Sequence, residues 1–189
     1  MSTVEIYGFN RDGICDRYVE VRNAWRGAMA VWMDLEKRYL PPYYLRTDDG
    51  RETQLAVSRV TAMASRGENP MREIWDLTKS EALTEAEKIV LTSTFDNVLV
   101  KAEDCKEVIE AFRAYPGDTN LKEQADAIER LIADPECTAI GWNQTSVSAD
   151  NWMNAGGYDE ETEESIPYNY MTMEGHWWMF EAEEGEGGE

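Results

Sequence analysis

The first forty residues show two kinds of hydrophobic periodicity. Residues 3–9 alternate apolar and polar side chains and are rich in β-forming residues, so they predict a strand. The turn residues 10–13 follow, and residues 14–21 suit the return strand of a hairpin. Across residues 25–39 the apolar side chains recur at helical spacing, which predicts a helix that the proline pair 41–42 ends.

The middle of the chain carries two signals for the start of a helix. Thr84 and Glu87 have the spacing of a capping box ahead of an apolar run. Asp104 and Glu107 repeat that spacing ahead of a second run, which Pro116 ends. We therefore predict one helix after each of these boxes.

The remaining segments of the first 146 residues are assigned from their composition. β-branched and aromatic residues predict strands at 94–100 and 137–146, and apolar periodicity predicts a helix at 120–133. Residues 41–53 are predicted to form a loop, and residues 54–65 are weakly helical in pattern.

Strands near both ends, with helices between them, predict the fold class and its organisation. We expect an α+β fold in which several helices back a small mixed or antiparallel sheet. Residues 1–146 are assigned to the globular core. Residues 147–189 are expected to supply a long acidic loop, a terminal edge strand at 176–183 and a flexible tail, packed on the same domain.

Charge is distributed very unevenly along the chain. The sequence has 38 acidic and 18 basic residues, a net charge of −20. Arg130 is the last basic residue, and residues 131–189 carry 14 carboxylates. A field of one sign repels phosphates, so this distribution argues against direct binding to DNA, RNA or an anionic membrane.

Few residues are suited to catalysis or metal binding. The only histidine, His176, stands beside two tryptophans, and the three cysteines are widely spaced without a CxxC motif. The DEETEE run lacks the spacing of a calcium-binding loop, and no phosphate-binding glycine motif occurs. We therefore predict no catalytic residue, no cofactor and no metal site, and we expect a stoichiometric binding protein.

No targeting or membrane signal is recognised in the sequence. The chain contains no 18-residue apolar run, and its first residues lack the basic and apolar regions of a signal peptide. The cytosol is the expected location.

The principal functional hypothesis is an acidic mimic of nucleic acid. A basic groove that binds phosphates should also bind carboxylates held at similar spacing, and neighbouring aromatic side chains would anchor the contact. Glu181 and Glu183 would share one face of a strand at about 6–7 Å, close to the phosphate repeat. The predicted partner-binding residues are the acids and aromatics of this last third: Asp159, Glu160, Glu161, Glu163, Glu164, Tyr168, Tyr170, Trp177, Trp178, Glu181, Glu183, Glu184 and Glu186.

Two alternatives come from other classes of protein. A structural or assembly protein would form an oligomer, such as a homodimer, through the aromatic helix face of Trp25 and Trp32. An enzyme would use acidic residues with a divalent ion. Salt dependence distinguishes the nucleic-acid mimic from the assembly protein, because contacts made by a charge mimic weaken with salt and apolar contacts do not.

Four strings of the sequence carry a resemblance: RNAWRGAMAVW, TFDNVLVKAED, LKEQADAIE and WNQTSVSADNW. The chain resembles small proteins of phages and mobile elements, whose genomic setting resembles that of anti-CRISPR and antirestriction inhibitors. The resemblance covers most of residues 4–155 and implies a stoichiometric inhibitor that acts in the host bacterial cytosol.

The resemblance also implies a class of target. That class is a basic nucleic-acid-binding defence enzyme, a restriction enzyme or a Cas nuclease such as Cas9, which holds nucleic acid in a positively charged channel. Such an inhibitor blocks DNA binding as a mimic, or blocks a movement of the nuclease domain, and both routes stay open. The chain has no diagnostic antirestriction motif, and no catalytic residue is carried over.

Overall fold

The computed structural model confirms the predicted α+β class. It describes residues 3–46, 51–62, 70–95, 98–144, 156–171 and 177–178. The helices in this part are α1 (Ala28–Tyr39), α2 (Arg59–Ala62), α3 (Met71–Asp76), α4 (Glu85–Ser93), α5 (Cys105–Ala114) and α6 (Leu121–Ile132). Within the described part of the chain, no helix has the length and apolar character needed to cross a membrane.

One five-stranded sheet organises the domain, and two short hairpins accompany it. The strands are β1 (Thr3–Phe9), β2 (Cys15–Arg22), β3 (Tyr43–Arg46), β4 (Glu52–Val57), β5 (Val98–Lys101), β6 (Ala139–Asn143), β7 (Tyr158–Asp159), β8 (Glu164–Ser165) and β9 (Trp177–Trp178). The sheet has the order β2-β1-β6-β5-β9, in which the first four strands are antiparallel and β9 joins β5 in parallel. The hairpins are β3–β4 and β7–β8.

The two faces of the sheet bury different sets of side chains. Alternate residues of a strand point to opposite faces. Val4 and Ile6 of β1 join the larger core cluster, which includes residues of helices α1, α5 and α6. Tyr7 and Phe9 join a second cluster on the other face. The last third of the chain contributes to that second cluster, as shown below.

The first predicted helix begins later than the periodicity indicated. Helix α1 starts at Ala28, and Trp25 lies in a turn before it. Trp32 is buried, and its indole N–H donates to the hydroxyl of Thr94 at 2.8 Å. The apolar spacing therefore extends beyond the N-terminus of the helix. Of the two tryptophans on the predicted aromatic face, Trp32 is buried in α1 and Trp25 is exposed in the turn.

Pairing between distant segments overrode composition in the next part of the chain. The region predicted as a loop contains β3, and the start of the weakly helical region belongs to β4, with α2 following it. A strand pair gains its stability from side chains on both strands, and a single-segment pattern does not reveal the partner.

One capping box is confirmed and the other prediction is wrong. The hydroxyl of Thr84 accepts from the amide of Glu87, and the Glu87 side chain accepts from the amide of Thr84, so the box is complete. Asp104 forms no side-chain cap, because its backbone is already helical and an N-cap residue is usually extended. The predicted strand at 94–100 starts only at Val98, since Thr94 caps the end of α4.

Glu87 also ties helix α4 to helix α1. Its carboxylate accepts from the hydroxyl of Tyr39 at 3.0 Å and pairs with the guanidinium of Arg38. Burial opposes ionisation of this carboxyl, but the hydrogen bonds from Thr84, Arg38 and Tyr39 prevail and lower the pKa of Glu87 to about 2.

This lowered pKa makes stability depend on pH in the acid range. Glu87 stays ionised in the folded protein below the pH at which it binds a proton in the unfolded chain, so the free energy of unfolding should fall between about pH 5 and pH 2. Glu87→Gln keeps a capping acceptor but removes the charge, and it should lower that free energy by about 1–2 kcal/mol at pH 7. Urea unfolding across this pH range measures both effects. Glu85→Gln is the control, and a Glu87→Gln curve parallel to the wild type would contradict the assignment.

Candidate partner-binding site

The densest group of predicted site residues lies on a short hairpin. Strands β7 and β8 pair antiparallel, with Tyr158 opposite Ser165 and Asp159 opposite Glu164. The amide of Ile166 donates to the carbonyl oxygen of Gly157 at 3.0 Å and closes the base. We call residues 157–166 the acidic hairpin.

Asp159 shapes the tip of the acidic hairpin. Its Oδ1 accepts from the amide of Glu161 at 2.8 Å and from the amide of Thr162 at 3.2 Å. These two backbone hydrogen bonds lower the pKa of Asp159. The carboxylate therefore stays charged at neutral pH while it holds the turn, as aspartate often does at such positions.

The other carboxylates of the hairpin face solvent. Glu160, Glu161, Glu163 and Glu164 are all exposed. The ion pairs found in the described part of the chain involve other carboxylates, such as Asp126 and those of helix α1. Because no lysine or arginine follows Arg130, the sequence around the hairpin supplies no counter-charge. The hairpin thus presents a compact negative surface.

Tyr168 and Tyr170 anchor the hairpin to the sheet. Tyr168 is only 2% exposed and packs edge-to-face on Phe9 with ring centroids 6.1 Å apart. Tyr170 packs on the same ring at 5.5 Å. Both side chains belong to the second core cluster or pack against it. Tyr168 therefore belongs to the core of the described structure, and its predicted contact with a partner stays a prediction.

Backbone hydrogen bonds fix the same connection. The amide of Cys15 donates to the carbonyl oxygen of Tyr168 at 2.9 Å, and the amide of Tyr170 donates to that of Gly13 at 3.1 Å. Gly13 has φ +76°, and a Cβ there would lie 2.7 Å from the side chain of Met171. The hairpin is therefore anchored at the β1–β2 turn, and only glycine fits the close approach there.

Three exposed apolar side chains accompany the carboxylates, and none of them is among the partner-binding residues predicted from the sequence. Tyr158 is 60% exposed, Met171 is 61% exposed, and Ile166 is also exposed. Tyr158 and Ile166 flank the two ends of the hairpin, and Met171 also lines a groove beside Lys101 and Thr138. The turn residues around Tyr158 could have predicted its exposure, because a short hairpin buries little of an aromatic side chain.

The remaining predicted residues fall in two groups. Trp177 and Trp178 form β9, whose backbone pairs with Val98 and Leu99, so the predicted edge strand is confirmed for these two residues. Glu181, Glu183, Glu184 and Glu186 lie outside the described residues. The structure therefore brings together the carboxylates of residues 159–164 and packs Tyr168 and Tyr170, which follow them in the chain, against Phe9.

The described residues offer no arrangement for metal or thiol chemistry. No group of three His, Cys, Asp or Glu side chains in this part of the chain is placed to hold a metal ion. Cys15, Cys105 and Cys137 are free and buried. Burial raises the pKa of the Cys15 thiol to about 12, which keeps it protonated at neutral pH. His176 lies outside the described residues.

Comparison with known proteins does not extend this description. The chain matches no protein-family model, and neither the curated proteins nor the solved structures contain a significant match.

Proposed function

We propose that the protein is a stoichiometric inhibitor that binds the nucleic-acid groove of another protein, with the acidic hairpin in the place of phosphates. The observation that carries the proposal is the set of exposed carboxylates on residues 160–164, which lack basic neighbours in the sequence and are held by a turn that Asp159 defines. A basic groove attracts such a surface and releases counterions when it binds.

The apolar side chains around the hairpin support a protein partner. Free carboxylates alone would give a weak and poorly oriented contact, because exposed ion pairs contribute about 0–1 kcal/mol each. Tyr158 and Ile166 add exposed apolar area at the edges of the same hairpin. Aromatic side chains are enriched among the residues that dominate interface energies.

The resemblance to anti-CRISPR and antirestriction inhibitors selects the first targets to test. A Cas nuclease such as Cas9 presents a positively charged channel for the guide–target duplex. We propose that the acidic hairpin occupies such a channel and competes with DNA. Binding at another surface, which would block a nuclease-domain movement, predicts no competition with DNA.

Neutralising the hairpin should weaken this binding strongly. The variant carries Gln at positions 160, 161, 163 and 164, and it is compared with the wild type on immobilised Cas9 and restriction enzymes, with and without guide RNA. At about 50 mM salt we expect at least a tenfold loss of affinity, and at about 500 mM the two proteins should converge. A further variant without residues 181–189 tests the predicted acidic tail separately.

The matched control removes the same number of charges elsewhere. Glutamine replaces four exposed glutamates of the first two-thirds of the chain: Glu81, Glu85, Glu107 and Glu110. If affinity depends only on net charge, the control will lose as much as the hairpin variant, and the proposed site is wrong. If the wild type binds no member of the panel, the proposal fails for these targets.

A further inference from the structure

Trp25 is the largest side chain among the most exposed residues of the described structure. It is 77% exposed, whereas Trp32 and Trp142 are buried. It stands in the turn Asn23–Arg26, which the amide of Arg26 closes by donating to the carbonyl oxygen of Asn23 at 2.8 Å. Ala24 and Trp25 have φ of 47° and 65°, so both central residues of the turn are left-handed.

This backbone is unfavourable for the residues that occupy it. Two left-handed residues in sequence are the pattern of a type I′ turn, in which Asn and Gly are strongly preferred. Alanine and tryptophan have a Cβ that crowds the following carbonyl oxygen in this region. The turn therefore stores strain, and it exposes an indole that contributes little to the core.

Neighbouring polar groups hold the turn in place. The side chain of Asn23 accepts from the amide of Gly27 at 3.1 Å. The guanidinium of Arg26 donates to Asp118 at 2.8 Å, and the carbonyl oxygen of Arg26 accepts from the amide of Asn120 at 2.8 Å. The surrounding structure thus determines a strained conformation, which is typical of functional positions.

A rigidly presented tryptophan is suited to a protein contact. Tryptophan is enriched among the residues that dominate interface energies, and an anchor held in its bound conformation loses little entropy on binding. The strain and the exposure have a use only if a partner covers the indole. Which partner fits follows from the charge around the turn.

The end of the sheet that carries Trp25 is electrically neutral. Residues 18–29 and 118–124 together contain three basic and three acidic residues, in a chain with a net charge of −20. The acidic hairpin is anchored at the other end, because β1 and β2 pair from Thr3 with Arg22 to Phe9 with Cys15. Six residue steps along β1 separate these ends by about 20 Å.

We propose that Trp25 anchors a symmetric contact between two copies of this chain. Copies with this net charge repel each other, and the neutral end is where they approach at the least electrostatic cost. In a two-fold contact each Trp25 packs on the turn of the partner copy. The anchoring points of the two acidic hairpins are then remote from the contact, so the dimer is able to bind two basic grooves or a bivalent target.

Sedimentation of the full chain tests this contact directly. We expect conversion from the 21.6 kDa monomer to a dimer, with a dissociation constant of about 1–100 µM. Dimerisation should strengthen between about 50 and 500 mM salt, because salt screens the repulsion between copies. Trp25→Ala should weaken it by at least about 30-fold. A wild type that stays monomeric at all concentrations, or a dimer that salt weakens, would overturn the proposal.

Two further variants make the result specific. Leu55→Ala removes another highly exposed apolar side chain, on the β3–β4 hairpin, and should leave dimerisation unchanged. Loss of the dimer in Leu55→Ala but not in Trp25→Ala would move the interface to that hairpin. Trp25→Gly should abolish the dimer and yet raise the melting temperature of the monomer by about 2–4 °C, since glycine relieves the strain. A lower melting temperature would mean that the indole stabilises the monomer instead.

Discussion

Replacing Arg59 with alanine should lower the free energy of unfolding by about 3–5 kcal/mol, because the change leaves the buried carboxylate of Glu36 without its cation. Arg59 is 2% exposed, and its guanidinium donates to Glu36 at 3.0 Å and to Glu73 at 2.7 Å. It also donates to the carbonyl oxygen of Pro41 and lies 5.1 Å from the ring centroid of Tyr43. One side chain therefore joins α1, α3 and the start of the β3–β4 hairpin.

The reason for the large effect is the partner that remains. Glu36 is also buried, and it accepts from the amide of Arg59 at 2.8 Å and from the hydroxyl of Ser58 at 2.7 Å. Removing the guanidinium leaves this largely buried charge without its cation. Urea denaturation measures this loss. The midpoint should fall, while the dependence of the unfolding free energy on urea concentration stays unchanged.

Two comparisons test that explanation. Arg113→Ala removes an arginine whose partners, Asp126 and Glu129, are exposed, so the loss should be much smaller than that of Arg59→Ala. Arg59→Met combined with Glu36→Gln should recover part of the Arg59→Ala loss, because a neutral amide still accepts from the backbone. Equal losses in Arg59→Ala and Arg113→Ala would refute the buried-charge account.

Replacing Tyr168 with alanine should also be strongly destabilising, by about 3 kcal/mol, and it should detach the acidic hairpin. The side chain fills the second core cluster beside Phe9. The backbone carbonyl oxygen of Tyr168 accepts from the amide of Cys15. The amide of Tyr170 donates to the carbonyl oxygen of Gly13. Hydrogen exchange at the amides of Cys15 and Tyr170 should therefore speed up together with the loss of stability.

The contrasting variant is Tyr158→Ala on the hairpin itself. Tyr158 is exposed, so its removal should change the free energy of unfolding by less than about 0.5 kcal/mol. It should instead weaken binding to the proposed basic partner. If Tyr158→Ala destabilised the fold as much as Tyr168→Ala, the division between supporting and contacting tyrosines would not hold.

Local chemistry accounts for the parts of the fold that the sequence predicted well. The β1–β2 hairpin follows from alternation around turn residues, and α1 ends where two prolines remove backbone donors. Thr84 and Glu87 form their capping box because both partners lie within one helical turn. The predicted cluster of carboxylates is adjacent in sequence, so it is also adjacent on the hairpin.

Prediction failed where the outcome depended on a distant partner. Arg59 gave no sign of its pairing with Glu36, which is 23 residues away. Trp25 continued the helical spacing, but hydrogen bonds from Arg26 to residues near α6 hold it in a turn. The aromatic residues of the acidic third looked alike in sequence, although Tyr168 is buried and Tyr158 is exposed.

By itself the sequence determined the α+β class, the C-terminal ends of α1 and α5 before their prolines, and the single sign of charge after Arg130. These properties depend on side-chain type and on spacing within a few residues. The tertiary structure decided which acids and aromatics share a surface, because burial depends on what the sheet and helices bring together over long separations. It buried Tyr168 against Phe9 and left Trp25 exposed at the other end of the sheet.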